Sequence, residues 1–312
     1  MNIRQKVPWW CKIIIKIILS NLPVGYAFWK CIGIFEHGDM HQPSRAFELF
    51  ITHAESAHLL ADDHFGNKTL RMSTPSNGDY SVLELGPGDS LFTALIAKAL
   101  GATRSWLVDA GSYATKNMAF YAQMCDYLRH LGYISVEHSV DQLIKPSVAQ
   151  LLSKCNAVYL IEGTISIATI PDNSVDFCFS NAVLEHIPKS EFNNLIRELW
   201  RVLKTDGVCV HRVDLKDHLG GGLNNLRFSE SIWEGNFFRN SGFYTNRIRF
   251  TEMLLIFQQA GFEYQLVQVV RFGKLPLSRS VLAKSFCQLS EYDLLVSGFD
   301  VVLKKCANFS CN

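Results

Sequence analysis

Val82-Leu83-Glu84-Leu85-Gly86-Pro87-Gly88-Asp89-Ser90 decides how this chain is read. An apolar strand runs into a two-glycine turn. The turn opens a helix over residues 90–100 that carries Leu91, Leu95 and Ala99 on one face and stops at Gly101. Gly86 and Gly88 remove side chains where backbone must approach a ligand, and the helix N-terminus presents N–H groups with no partner of their own. Asp109 ends the next strand, 21 residues past Gly88, about where an acid hydrogen-bonds ribose hydroxyls in nucleotide-binding sheets. A two-glycine turn alone says little. Strand, turn, helix and acid in this order predict an adenosine-binding edge.

Outward from that unit, short apolar strands alternate with helices. Strands are expected over residues 80–85, 105–108, 157–161, 175–179 and 208–213, with helices over 114–131 and 191–203 among those between. This alternation predicts an α/β, doubly wound, seven-stranded and mostly parallel sheet covered on both faces. After a helix over 251–260 come two strand-like runs, 262–270 and 298–303, with no clear crossover helix between them, so the last strand is expected antiparallel. Residues 1–67 read as a helical N-terminal cap with an amphipathic segment, and 68–312 as the main domain with an insertion at 214–249. Asn77, Gly78 and Asp79 mark a turn near that division.

Composition narrows the class of function. The chain has 312 residues, 48% hydrophobic and 19% charged, with a formal net charge of +1. Such a balance gives neither the pull on phosphates that non-specific nucleic-acid binding uses nor the signature of disorder. Nine cysteines form no C-x-x-C pair, and Cys178 and Cys209 lie in apolar runs. They read as buried thiols of a reducing, cytoplasmic compartment, with no metal site expected. His37 and His41 are four apart, but Gly38 and Pro43 argue against a helix that would bring them together on a metal.

The N-terminus, MNIRQKVPWWCKIIIKIILSN, is amphipathic and broken by Lys12 and Lys16. It is shorter than the roughly 20 apolar residues that a spanning helix needs, and it lacks a signal-peptide cleavage site. Two uses remain: a helix docked on the protein's own body, or a peripheral contact through residues 8–20 on the inner face of the membrane, with Trp9 and Trp10 at headgroup level.

Which adenosine ligand fits the turn follows from two residues. A dinucleotide fingerprint needs a third glycine where Leu91 stands, and Glu84 would repel a diphosphate. An oxidoreductase using a dinucleotide is therefore disfavoured. Glu84 would instead attract an ammonium group, and S-adenosylmethionine joins adenosine to a cationic amino-acid tail.

Here the sequence resembles the class I (Rossmann-like) S-adenosylmethionine-dependent methyltransferases, over residues 80–305. LELGPGDS looks like the family's glycine turn, implying that Glu84, Gly86, Pro87 and Gly88 line the methionine and ribose part of the cofactor. LVDAG implies that Asp109 holds the ribose diol. GTISIATIPDNSVDF resembles the stretch before the fourth strand, where this chain has Thr164 in place of the aspartate that commonly meets adenine. SNAVLEHI, with Asn181 and His186, resembles the segment where cofactor and acceptor meet, and LWRVLKTDG and SGFDVVLKK resemble the elements that close the sheet. The whole chain, with LPVGYAFW and HGDM near its start, is similar to uncharacterised bacterial members associated with surface-polysaccharide genes.

Residues 214–249 are too long and polar for a plain connection and are read as a lid, with Gly220, Gly221 and Gly222 as a hinge. Its aromatic residues Trp233, Phe237, Phe238, Phe243 and Tyr244 alternate with asparagines and arginines, a mixture suited to a hydroxyl-rich acceptor. The expected reaction is methyl transfer to a small-molecule or saccharide acceptor, most simply O-methylation. Candidate bases are His186, His211, Asp214, Asp217 and His218, although alternation along a strand puts His211 and Asp214 on opposite faces. Two readings compete: a lipid or quinone methyltransferase at the membrane surface, and a non-catalytic module that only binds S-adenosylmethionine.

Overall fold

The computed structural model describes residues 8–11, 13, 40–62, 68–70, 80–133 and 147–306. Most of the amphipathic segment, the two short motifs around residues 22–39, and His37 lie outside the described residues.

A helix, α1 (Pro43–Ser56), begins with proline in its first turn and buries Ala46, Phe50 and Ala54, one per turn. Phe50 meets Phe177 and Phe179 of the main sheet edge-on, at 5.8 and 5.3 Å between centroids. The helix is thus a wall of the same core, and truncating Phe50 to alanine should cost about 3–5 kcal/mol. A small hairpin that the sequence pattern does not announce follows: β1 (Leu60–Asp62) pairs antiparallel with β2 (Lys68–Leu70). Its strands lie on both sides of the expected division at residue 67.

The main unit alternates as its apolar runs dictate. In chain order it comprises β3 (Ser81–Leu85), α2 (Phe92–Ala99), β4 (Arg104–Val108), α3 (Met118–His130), α4 (Val148–Lys154), β5 (Ala157–Leu160), β6 (Val175–Asn181), α5 (Lys189–Val202) and β7 (Leu203–Asp214). The insertion contributes two single turns, α6 (Glu230–Trp233) and α7 (Asn236–Arg239). Then come α8 (Phe250–Gln259), β8 (Phe262–Arg271), α9 (Lys284–Cys287), α10 (Glu291–Leu295) and β9 (Val296–Lys305).

The strands order as β5-β4-β3-β6-β7-β9-β8, and β9 alone runs antiparallel, pairing with both β7 and β8. Two apolar layers cover the sheet. Val82, Phe177, Phe179 and Val210 pack under α1, α2 and α3, while Leu83, Leu85, Cys178, Cys209 and Val213 pack under α5 and α8. The chain leaves β3 towards β4 and returns on its other side as β6. That reversal opens a crevice at the carboxyl ends of these strands, where open α/β sheets take their ligands.

Candidate active site at the carboxyl edge of the sheet

Gly86 and Gly88 follow β3 with φ of +69° and +65°, a left-handed geometry that costs any side chain strain. A Cβ on Gly86 would also lie 2.4 Å from Val183 Cγ2, so the turn is pressed against the segment after β6. The Gly88 amide donates to Asp109 Oδ2 at 2.9 Å, and the Ala110 amide donates to Oδ1 at 2.7 Å. Asp109 thereby ties the end of β4 to the glycine turn.

Glu84 faces inward from β3 and is buried, with one carboxylate oxygen lacking any hydrogen-bond partner. Burial pushes its pKa up to about 8, the Thr93 hydroxyl pulls the other way, and the charge of Asp109 adds to the rise. Asn181, at the end of β6, likewise has a buried side-chain oxygen without a partner. Unsatisfied buried acceptors are rare and call for a donor-bearing occupant. The ammonium and ribose hydroxyls of S-adenosylmethionine are donors of that kind, so the residues present fit this cofactor.

Contacts that the motif alone does not disclose close the turn from outside. His41 Nε2 lies 3.2 Å from the buried carboxylate of Asp89, and Ser90 Oγ donates to the Met40 carbonyl at 2.8 Å. The Thr164 hydroxyl donates to Glu191 of α5 at 3.1 Å, and Glu191 pairs with Arg239 at 2.8 Å.

The candidate bases separate by environment. His186 Nδ1 donates to the Tyr244 carbonyl at 2.9 Å, which leaves Nε2 the acceptor nitrogen. His218 Nε2 reaches it at 3.2 Å, and the two rings stack at 4.8 Å. Both histidines are exposed. His211 is fully buried instead: Nδ1 meets Ser180 Oγ at 2.8 Å, and burial lowers its pKa to about 3, with His53 adding to the fall. It stands on the α5–α8 face with Cys178 and Cys209, their ligand atoms within 4.8 Å of one another. Burial and the adjoining Cys209 hold the Cys178 thiol well above its usual pKa.

Asp217 is spent as a loop anchor. Its carboxylate accepts from the amides of Leu219, Gly221 and Asn224 and from the Asn224 side chain, and its own amide donates to the Gly222 carbonyl. The glycine run is therefore held closed in this structure.

The insertion has a core of its own. Leu219, Trp233, Phe243 and Tyr244 are buried together, and Trp233, Phe238 and Phe243 pack ring on ring. These aromatic faces meet one another, whereas Phe237 remains exposed. Ile13 joins this cluster, Trp9 packs edge-on to Phe228, and Arg227 sits 5.0 Å over the Trp9 ring. The described part of the N-terminal segment thus rests on the lid. Among the described residues no helix is long and apolar enough to cross a membrane.

The lid returns through Thr245–Arg249, where the sequence reading has Asn246 only among the polar residues between the aromatics. Asn246 donates from its backbone to the Glu185 carbonyl at 2.7 Å and from its side chain to the Leu184 and Ile187 carbonyls at 2.8 and 3.0 Å. This clamp fixes the turn that carries Glu185 and His186. Glu185 itself is buried with neither carboxylate oxygen hydrogen-bonded, a fact visible only after folding because the lid residues that border it come from far along the chain.

Residues 83–211 match the family described as a methyltransferase domain, a span that takes in Glu84, Gly86, Gly88, Asp109, Asn181, Glu185 and His186. No protein with a curated function matches the chain. The fold is similar to several solved structures. The YcgJ protein from Bacillus subtilis is 17% identical, over 74% of this chain and 94% of that one, with a TM-score of 0.40. A SAM-dependent methyltransferase from Aquifex aeolicus is also 17% identical, over 72% and 81%, with a TM-score of 0.33. Phosphoethanolamine N-methyltransferase 2 from Haemonchus contortus, in complex with phosphomonomethylethanolamine and S-adenosylhomocysteine, is 14% identical over 74% and 50%, with a TM-score of 0.39. Superpositions this loose lend no weight to a shared acceptor. The methyltransferase-domain match begins inside β3 and ends inside β7, so residues 83–211, which build this edge of the sheet, form a methyltransferase domain.

Proposed function

We propose that this methyltransferase acts on a hydroxyl group of a small-molecule or saccharide acceptor. In this reading Glu84 takes the cofactor's ammonium group, Gly86, Pro87 and Gly88 give it close backbone approach, and Asp109 takes the ribose diol. Thr164 and Asn181 flank the same crevice. When bound, S-adenosylmethionine supplies an electrophilic methyl group on a sulfonium.

The observation that supports the hydroxyl reading is the geometry of His186. Its Nδ1–H is committed to the Tyr244 carbonyl, so Nε2 is left as a proton acceptor where lid and sheet meet. His218 occupies that lone pair in this structure. An acceptor hydroxyl that replaced His218 there would give its proton to Nε2 as it took up the methyl group. General-base catalysis of this kind is worth about 10²–10⁴-fold. His211 and Asp217 serve the fold in this account, and Asp214 adjoins the acceptor space.

Incubation with methyl-labelled S-adenosylmethionine and fractionated cell extract tests the proposal. Label in the neutral small-molecule or oligosaccharide fraction, lost about 100-fold in His186→Gln with cofactor binding retained, is the expected result. Label only in lipid favours the membrane-surface reading, for which Trp10, 52% exposed beside the docked Trp9, speaks. Cofactor binding with no labelled product in any fraction leaves a binding module.

A further inference from the structure

Between β6, β7 and the returning lid lies a space of about 10 Å³, bordered by Glu185, Asp214, Asn225, Asn246, Arg247 and Arg249. It has room for a single water-sized group. Polar atoms on the residues around it go unsatisfied: both carboxylate oxygens of Glu185, Asn225 Oδ1, Arg247 Nε and Arg249 Nε. Glu185 is 1% exposed, and its own amide and that of Asp214 lie near enough to its carboxyl group to favour the charged form. So many unmet donors and acceptors around one small space indicate an occupant that both donates and accepts.

We propose that this space is the subsite that seats one neutral hydroxyl of the acceptor, with Glu185 as the residue that recognises it. The inference rests on the reading of the chain as a methyltransferase of hydroxyl-bearing acceptors, and it names the group by which such an acceptor is held.

The surrounding charges select a neutral group. Asp214 and Lys216 act on Glu185 from β7 and just beyond it, and Arg247 and Arg249 border the same space from the lid. The Arg247 guanidinium is spent on Glu230 at 2.8 Å and on the Phe228 carbonyl at 2.7 Å. That of Arg249 is spent on the carbonyls of Leu215, Asp293, Leu294 and Val296. Each guanidinium keeps only its Nε–H unmet, too little for the two-pronged grip that holds an anion, and Asp214 repels one. Two arginines nearby disfavour an ammonium.

Burial, with Asp214 adding, raises the pKa of Glu185 to about 8, so at neutral pH it is a carboxylic acid with one donor and one acceptor. A hydroxyl matches both. Arg247 holds φ at +60°, and backbone strain of this kind gathers at ligand clamps.

Saturation-transfer NMR on the full chain with bound S-adenosylhomocysteine tests this, with glycerol, methyl α-D-glucopyranoside, ethylammonium and acetate as probes. At pH 7 the two polyols should receive saturation and the two ions should not. Glu185→Gln, whose amide copies a neutral acid, should keep the polyol signal, and Glu185→Ala should lose it at least tenfold. At pH 9 the ionised wild-type residue should turn the preference towards ethylammonium, and Glu185→Gln should not. A wild type silent to both polyols, an equal signal from Glu185→Ala, or an ion preferred at pH 7 overturns the assignment and leaves a buried water as the occupant. Titration of each sample with S-adenosylhomocysteine keeps misfolding and failure of the cofactor reading distinct from failure of the subsite.

Discussion

The Gly88 amide donates to the Asp109 carboxylate at 2.9 Å, joining two residues from neighbouring strands across 21 positions of sequence. The bond sets the glycine turn and the acid proposed to take the ribose diol in one frame. Preorganisation of this sort lets binding energy go to contacts instead of loop ordering.

Gly86 is where this frame tolerates least. Gly86→Ala forces a left-handed alanine and a Cβ at 2.4 Å from Val183 Cγ2. The strain and the overpacking together should cost about 2–4 kcal/mol. Denaturant unfolding should show the loss, and adding Val183→Ala should recover the steric share while leaving the backbone share. Additive losses in the double variant would mean that the contact with Val183 is not the cause.

Glu84 predicts a proton leaving with the cofactor. Its carboxyl is largely neutral at pH 7, because burial raises its pKa to about 8, and an arriving ammonium favours the ionised form. Calorimetry in two buffers of different ionisation enthalpy should report proton release on binding S-adenosylmethionine, and Glu84→Gln should abolish it. A binding enthalpy independent of buffer would contradict the role given to Glu84.

Two opposed pairs of buried groups shape stability against pH. Glu84 and Glu185 titrate near 4.5 when unfolded and near 8 when folded, so the stability they confer is lost as pH rises from 4.5 through 8. His53 and His211 fall from 6.5 to about 4 and about 3, so their share is lost as pH drops below 6.5 through those values. Urea unfolding should therefore peak in the mildly acidic range. Glu185→Gln should flatten the decline towards pH 8, and an unchanged slope would mean that Glu185 is ionised in the folded protein.

The anchored loop at the start of the lid makes another expectation. Asp217→Ala strands the amides of Leu219, Gly221 and Asn224 without their shared acceptor. Limited proteolysis should then cut near residues 219–224 much faster than in the wild type, while S-adenosylmethionine affinity holds. Unchanged cleavage would assign the closure of this loop to the aromatic cluster instead.

The sheet was legible because its order of apolar runs is local: each strand and helix declares itself within about ten residues, and the antiparallel β9 follows from the missing crossover. The proposed cofactor edge is local in the same way, since Glu84 in β3 stands just before Gly86 and Gly88, and Asp109 directly follows the neighbouring strand. What escaped reading depends on residues far apart in the chain. Glu185 sits in the SNAVLEHI segment with nothing local to mark it, and Asn246 and Arg247 close over it from some sixty positions on. Alternation correctly put His211 and Asp214 on opposite faces, but it could not tell that His211 faces a sealed core. The lid's aromatic residues matched a sugar-binding composition, and only packing reveals that Trp233, Phe238 and Phe243 spend their faces on one another.

The central claim is that the frame of Glu84, Gly86, Gly88 and Asp109 binds S-adenosylmethionine, and calorimetric titration tests it most directly. The wild type should bind S-adenosylmethionine saturably and ignore NAD, and Asp109→Ala should weaken binding by about 1–3 kcal/mol, the cost of losing a hydrogen-bonded carboxylate. Binding of NAD, no binding of S-adenosylmethionine, or equal affinity in Asp109→Ala would contradict the account.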